Sequence, residues 1–124
     1  MLGEAEERRT ASLVAAGLDG PYLDLTGRTS LPTLGAVIDR LALLITNDTG
    51  PAHIGYALGA PTVTIFGGGD PARYGPLTPG PFRVLAEACH CRGLNWGDCP
   101  HGTPCLAAIS VDTVVSAAKG VMRA

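Results

Sequence analysis

Residues 46–53 read Thr-Asn-Asp-Thr-Gly-Pro-Ala-His and combine several groups that can bind an anion. An apolar run precedes them, and Pro51 is typical of the first turn of a helix. A helix that begins there leaves the amides of Thr49 and Gly50 without intrahelical acceptors, at the positive end of the helix dipole. The segment therefore predicts an anion site suited to a diphosphate. Thr49 adds a hydroxyl, and His53 can donate to a phosphate or neutralise charge on a leaving group.

Asp48 does not fit a phosphate contact, because like charges repel. We interpret its carboxylate as an acceptor for sugar hydroxyls or as an anchor that fixes the loop. The competing interpretation is structural: Asp48 and Thr49 cap the helix, and His53 is an ordinary surface residue.

The elements that position this segment alternate along the chain. Helices are predicted over residues 4–17, 31–41, 51–58 and 111–122, and strands over residues 22–25, 41–45, 62–66 and 82–86. The strand at 41–45 reads as buried on both faces. Alternating strands and helices predict an α/β fold with a parallel sheet and flanking helices, and a ligand at one edge of the sheet. A helix comes first, so we expect residues 1–124 to form one domain that is incomplete at its N-terminus and lacks its first strand.

The composition excludes several classes of protein. The chain is 46% hydrophobic and 16% charged, with a net charge of -2 and 5% aromatic residues. These values indicate a globular domain without a basic field or stacking surface, so no nucleic-acid partner is expected. No apolar run is long enough to span a bilayer and no signal peptide is recognisable, which predicts a cytoplasmic protein that is not transmembrane. Peripheral association with a membrane stays open.

The four cysteines are grouped in one stretch with little periodicity, at Cys89, Cys91, Cys99 and Cys105. Four thiolates suit tetrahedral zinc, although the first pair has the spacing C-x-C instead of C-x-x-C. Free thiols and disulfides are the alternatives. Trp96, in the same stretch, is interpreted as a local packing residue.

The chain resembles glycosyltransferase family nine, which includes the ADP-heptose:lipopolysaccharide heptosyltransferases. The resemblance lies in an Asp-Thr-Gly-x-x-His box at residues 48–53, in the Gly-x-Thr-Ser-Leu turn at residues 27–31, and in the run that continues to Asp70-Pro71 and Gly75-Pro76. The tail after the cysteines is also similar, so the resemblance covers nearly the whole chain.

This resemblance implies a Rossmann-like domain, the C-terminal half of a GT-B fold, which binds the nucleotide sugar for inverting transfer to a lipopolysaccharide-type acceptor. It implies that Asp48, Thr49, Gly50 and His53 surround the sugar diphosphate of an ADP-sugar donor. Thr29 would lie near the nucleoside, and Glu4 would correspond to an acidic residue that reaches the ribose. For Glu4 the competing interpretation is a solvated residue at a helix start. No cofactor and no metal are expected, because the family is generally regarded as metal-independent.

The sequence departs from the family pattern in two places. Residues 67–69 read Gly-Gly-Gly where the family usually has Gly-Pro-Thr, which removes a hydroxyl from this turn. The family's N-terminal domain, which supplies the acceptor site and the carboxylate base, is not recognisable, so the catalytic residues cannot be assigned. The family's lysine-bearing loop is not recognisable either, since Lys119 is the only lysine of the sequence. The chain alone is expected to bind weakly and catalyse little.

Arg73 and Tyr74 follow the Asp-Pro pair and either face the ligand or form an exposed surface turn. Two further functions remain as alternatives to a transferase domain. One is a non-catalytic nucleotide-binding module, and the other is an interaction module stabilised by a metal at the cysteines.

Overall fold

The computed structural model describes residues 1–88, 100–102 and 104–122. The chain divides into two compact units, Met1–Ala36 and Val37–Ala124. The first unit contains a 3-10 helix, Ala5–Glu7, followed by α1, Arg8–Ala15. Helix α2, Leu31–Ile38, crosses the boundary between the units. No helix in the described part of the chain is both long and apolar enough to span a membrane.

In the first unit, the backbone of residues 1–3 runs alongside residues 23–27. The amide of Leu25 donates to the Met1 carbonyl at 3.0 Å, and that of Gly27 donates to the Gly3 carbonyl at 2.8 Å. The Met1 ammonium also donates to the Leu23 carbonyl. These hydrogen bonds follow the pattern that two parallel strands make. The strand predicted over residues 22–25 was wrong, because this segment forms only this short pairing and no strand.

The second unit contains a parallel sheet of three strands: β1, Leu44–Asn47, β2, Thr62–Phe66, and β3, Phe82–Ala86. The strands lie in chain order, with β2 between β1 and β3. Thr62 is in register with both Leu44 and Phe82. Because neighbouring strands are parallel, each connection must cross over the sheet, and helices make such crossovers. The prediction of an α/β fold with a parallel sheet and flanking helices is confirmed.

Two helices pack against this sheet. Helix α3, Gly50–Leu58, contacts β1 and β2, and α6, Val111–Met122, contacts β2 and β3. Two short helices lie between them in sequence, α4, Pro71–Tyr74, and α5, Pro104–Ala107.

The alternation of side chains along β2 separates the two faces. Thr62 and Thr64 lie towards α3, whereas Val63 packs on the other face with Ala118 and Val121 of α6. Val63, Thr62 and Thr64 are fully buried, so the central strand is covered on both sides. This is the expected environment of a strand in a parallel sheet.

The strand predicted over residues 41–45 begins and ends later, at Leu44–Asn47, and is not buried on both faces. Leu44 is buried, but the side chain of Ile45 is 50% exposed. This exposure of Ile45 follows from the position of β1. The strand lies at the edge of the described sheet, and α3 covers the face opposite to Ile45.

The helix ends follow the local sequence. The Ser30 hydroxyl accepts a hydrogen bond from the Thr33 amide at 3.3 Å and caps α2. The Ser110 hydroxyl accepts one from the Thr113 amide at 3.1 Å and caps α6. Helix α3 ends at Gly59, whose φ of 68° lies in the left-handed region that favours glycine. The helix predicted over residues 4–17 is present, but its first turn is a 3-10 turn.

Candidate functional site

The carboxyl ends of β1 and β2 lie next to each other, and the segments that follow them form the candidate site. Residues 48–50 follow β1, and the glycine run at 67–69 follows β2. The amide of Asp48 donates to the Ile65 carbonyl at 3.1 Å, which extends the pairing of the strands by one bond. Ligands of open parallel sheets bind at this edge.

Thr49 and Gly50 form the start of α3. Thr49 is the N-cap residue in extended conformation, with φ -147° and ψ 178°, and Pro51 lies in the first turn. The Thr49 hydroxyl does not cap the helix but is 3.4 Å from the Asn47 carbonyl. In the described residues, no backbone acceptor is paired with the amide of Thr49 or Gly50. The capping interpretation of Thr49 is therefore not supported, and both amides are available to an anion.

The carboxylate of Asp48 folds towards the turn after β2. A Cβ atom built on Gly69 would lie 2.3 Å from Asp48 Oδ2, so the carboxylate is directly against the Gly69 backbone. Burial raises the pKa of Asp48 above its ordinary value, and the positive charge of His53 offsets part of this rise.

His53 lies in α3, is exposed, and stands one turn before Tyr56. The two rings make an edge contact with their centroids 6.1 Å apart. The Tyr56 hydroxyl donates to Thr64 Oγ1 at 2.6 Å, and its ring contacts Phe82 edge-on at 5.1 Å. Burial raises the pKa of Tyr56, and the negative charge of Asp48 adds to the rise while the bond to Thr64 opposes it. Tyr56 was missed from the sequence, although its spacing of three from His53 on a helix would have indicated it.

The structure brings together four of the predicted site residues, Asp48, Thr49, Gly50 and His53, within the second unit. Glu4 and Thr29 lie in the first unit. Glu4 is exposed and precedes the 3-10 helix, with its amide donating to Glu7 Oε2 at 2.7 Å. Thr29 is half-buried and follows the turn at Gly27, where φ is 67°.

Arg73 and Tyr74 are both exposed on α4, and the Arg73 guanidinium lies 5.1 Å from the centre of the Tyr74 ring. Asp70 caps this helix by accepting the amide of Ala72 at 3.0 Å. Arg73 and Tyr74 therefore make a local cation–π contact at the end of the turn after β2.

The predicted cysteine cluster falls largely outside the described residues, which include Cys105 but not Cys89, Cys91 or Cys99; Trp96 also lies outside them. Cys105 is buried on α5. Within residues 1–88, 100–102 and 104–122, no three metal-ligating side chains form a cluster.

Two solved structures that are similar to this chain are glycosyltransferases. The chain superposes on the crystal structure of the glycosyl transferase family 9 from Veillonella parvula with a TM-score of 0.85 and 28% identity, over 98% of this chain and 35% of that one. It superposes on the Escherichia coli ADP-heptose LPS heptosyltransferase II with a TM-score of 0.81 and 22% identity, over the same shares. The second likeness shows the fold alone.

Sequence comparison gives the family. Residues 1–93 match the model of glycosyltransferase family 9 (heptosyltransferase), and the chain belongs to this family. Lipopolysaccharide heptosyltransferase 3 from Escherichia coli K12 is 40% identical over 58 residues, which are 47% of this chain and 17% of that protein. A second Escherichia coli heptosyltransferase 3 is 42% identical over 50 residues. The chain thus spans about a sixth of the length of these relatives, and about a third of the solved structures.

Proposed function

We propose that this chain is the donor-binding domain of an inverting glycosyltransferase that moves a heptose-like sugar from an ADP-sugar to a lipopolysaccharide-type acceptor. The observation that carries the proposal is the start of α3, where the amides of Thr49 and Gly50 lack acceptors beside Asp48 and His53. Family membership supports sugar transfer as the reaction class.

Each side chain has a role in this proposal. The amides of Thr49 and Gly50 bind the diphosphate at the positive end of the α3 dipole, and His53 donates to it from the first turn. As the bond between sugar and diphosphate breaks, negative charge develops on the departing phosphate, and fixed donors stabilise it there. Asp48 accepts hydrogen bonds from sugar hydroxyls. Thr29 is assigned to the nucleoside, and Glu4 is assigned to its ribose.

The proposed domain, residues 1–124, belongs to the C-terminal half of a GT-B fold in a cytoplasmic enzyme. The acceptor site and the carboxylate base are assigned to a separate N-terminal domain. The chain on its own is then expected to bind donor without turning it over.

Calorimetric titration tests the donor site. ADP and ADP-heptose are titrated into the wild-type chain, into His53→Ala, and into His101→Ala, which removes an exposed histidine that is not part of α3. Loss of a hydrogen bond to a charged phosphate is expected to weaken binding about tenfold in His53→Ala, with no change in the control. Equal affinities of all three proteins would remove His53 from the site, and no binding of either ligand by the wild type would reject the donor-binding role.

A further inference from the structure

The side chain of Tyr56 is held in place by two strands of the sheet. Its hydroxyl donates to Thr64 Oγ1 at 2.6 Å, and its ring meets the Phe82 ring edge-on, with the centroids 5.1 Å apart and the planes at 64°. Thr64 lies on β2 and is fully buried, and Phe82 begins β3. Movement of the ring would break a hydrogen bond to a buried group and an aromatic contact, so the ring is a fixed part of the scaffold.

His53, in contrast, is exposed and has few restraints of its own. Its imidazole makes no hydrogen bond within the part of the chain that the structure describes, and its ring contact is with Tyr56, at 6.1 Å between centroids and 83° between planes. Residues three apart on a helix are neighbours, and helical side chains lean towards the preceding turn. The Tyr56 ring therefore limits the rotamers that the imidazole can adopt.

The direction of the imidazole matters because Asp48 offers it a competing partner. The positive charge of His53 lowers the pKa of Asp48, and the negative charge of Asp48 raises the pKa of Tyr56, so the three groups act on one another. A protonated imidazole has two N–H donors. If one of them turned to the Asp48 carboxylate, His53 would offer one donor fewer to an anion at the start of α3.

We infer that Tyr56 is a positioning residue: its ring, anchored to β2 and β3, holds the His53 imidazole in the direction from which it donates to the diphosphate of the donor. The inference rests on the proposed function, in which His53 makes that contact. It adds to the site a residue that acts through His53 and does not itself touch the donor.

The first test follows the His53 side chain without any ligand. The three-bond NMR couplings between its Hα and Hβ protons are measured in the wild-type chain, in Tyr56→Leu, and in Tyr22→Leu, a control at an exposed tyrosine outside α3. One rotamer is expected in the wild type and in the control, and an average over several rotamers in Tyr56→Leu. Couplings that are already averaged in the wild type overturn the inference, as do couplings that are the same in all three proteins.

The second test measures whether Tyr56 acts through His53. Tyr56→Leu is expected to weaken ADP binding about threefold, because the ligand must then immobilise a side chain that the ring held before. In a His53→Ala background the same substitution is expected to leave ADP affinity unchanged. A loss that persists in that background means that Tyr56 acts on the ligand directly or through α3 as a whole, and it overturns the inference.

Tyr56→Phe separates positioning from stability. This variant keeps the ring and its contacts with His53 and Phe82 but removes the bond to Thr64. We expect it to keep the single His53 rotamer and to bind ADP as the wild type does, although its fold is less stable. Equal losses of ADP affinity in Tyr56→Phe and Tyr56→Leu would assign the effect to the hydroxyl or to stability, and the role of the ring would be rejected.

The two proposals fail in different ways. If the wild-type chain binds neither ADP nor ADP-heptose, the proposed function is rejected, whereas the couplings still decide whether Tyr56 orients His53. If the wild type binds ADP and Tyr56→Leu binds it equally well, donor binding stands and the role of Tyr56 is rejected.

Discussion

The hydroxyl of Tyr56 donates to the hydroxyl of Thr64 across 2.6 Å, which joins α3 to the central strand of the sheet. Thr64 is fully buried and Tyr56 is half-buried, so water cannot readily replace this bond. The bond fixes the Tyr56 ring, which contacts His53 of the candidate site.

Replacing Tyr56 with Phe is expected to lower the free energy of unfolding by about 1 kcal/mol, because the Thr64 hydroxyl loses its buried partner. Urea unfolding followed by circular dichroism measures the effect. Tyr22→Phe is the matched control, since the Tyr22 side chain is 55% exposed. If both variants unfold at the same urea concentration, the bond contributes nothing to stability.

Gly55 lies where α3 packs tightly against the sheet. An added Cβ would lie 2.7 Å from Thr62 Oγ1 and 3.0 Å from Leu44 Cδ2, and both neighbours are buried. Gly55→Ala is therefore expected to destabilise the chain by about 1–3 kcal/mol through overpacking. Gly120→Ala, on the open surface of α6, is expected to be neutral or to gain up to about 1 kcal/mol from helix propensity. Thermal unfolding of the pair checks the prediction, and an equally stable Gly55→Ala contradicts it.

The pH dependence of Asp48 has a defined sign. Its pKa in the folded chain is raised above the ordinary 3.8, so the folded state binds the proton more tightly than the unfolded state. The contribution of Asp48 to stability is therefore largest below the unfolded pKa and is lost as pH rises through the folded pKa. At neutral pH, Asp48→Asn is expected to be as stable as the wild type or slightly more so. A clear loss of stability in Asp48→Asn at neutral pH would contradict this sign.

His53 modulates the same titration. An imidazolium beside a carboxylate favours the ionised carboxylate, and the charge of His53 lowers the Asp48 pKa. In His53→Gln the Asp48 pKa is expected to rise further, as measured by carboxyl carbon NMR. His101→Gln is the control and is expected to leave it unchanged. A fall of the Asp48 pKa in His53→Gln would show that the two side chains do not interact as described.

The hydroxyl of Ser110 accepts the Thr113 amide at the start of α6. Ser110→Ala is expected to cost about 1 kcal/mol of stability because an amide of the first turn loses its acceptor. Ser116→Ala, at an exposed position inside the same helix, is expected to be neutral or mildly stabilising. Chemical unfolding of the two variants checks the prediction, and equal midpoints would show that the cap contributes nothing.

The sequence predicts those elements whose pattern is local. The strand at Thr62–Phe66, the stop of α3 at Gly59 and the cap at Ser110 follow from β-branched content, glycine chemistry and the serine hydroxyl, and all are present. The start and burial of β1 were misjudged, because burial depends on which strand lies at the edge of the sheet. Likewise, residues 22–25 form a backbone pairing with residues 1–3 that no periodicity signals.

The site was predictable in part. The unpaired amides before α3 follow from the position of Pro51 alone. The contact between Asp48 and Gly69 joins residues that follow different strands, so it depends on the three-dimensional turn after β2. The partnership of Tyr56 with Thr64 likewise requires knowing which face of β2 lies towards α3.

The order of the sheet has a consequence for how the chain acquires its structure. Each strand pairs with its neighbour in sequence, since Leu44 is opposite Thr62 and Thr62 is opposite Phe82. Each pairing then closes a loop of only about twenty residues, for which the entropic cost is small. The sheet can therefore grow one strand at a time, with the pairing of β1 and β2 requiring no contribution from β3.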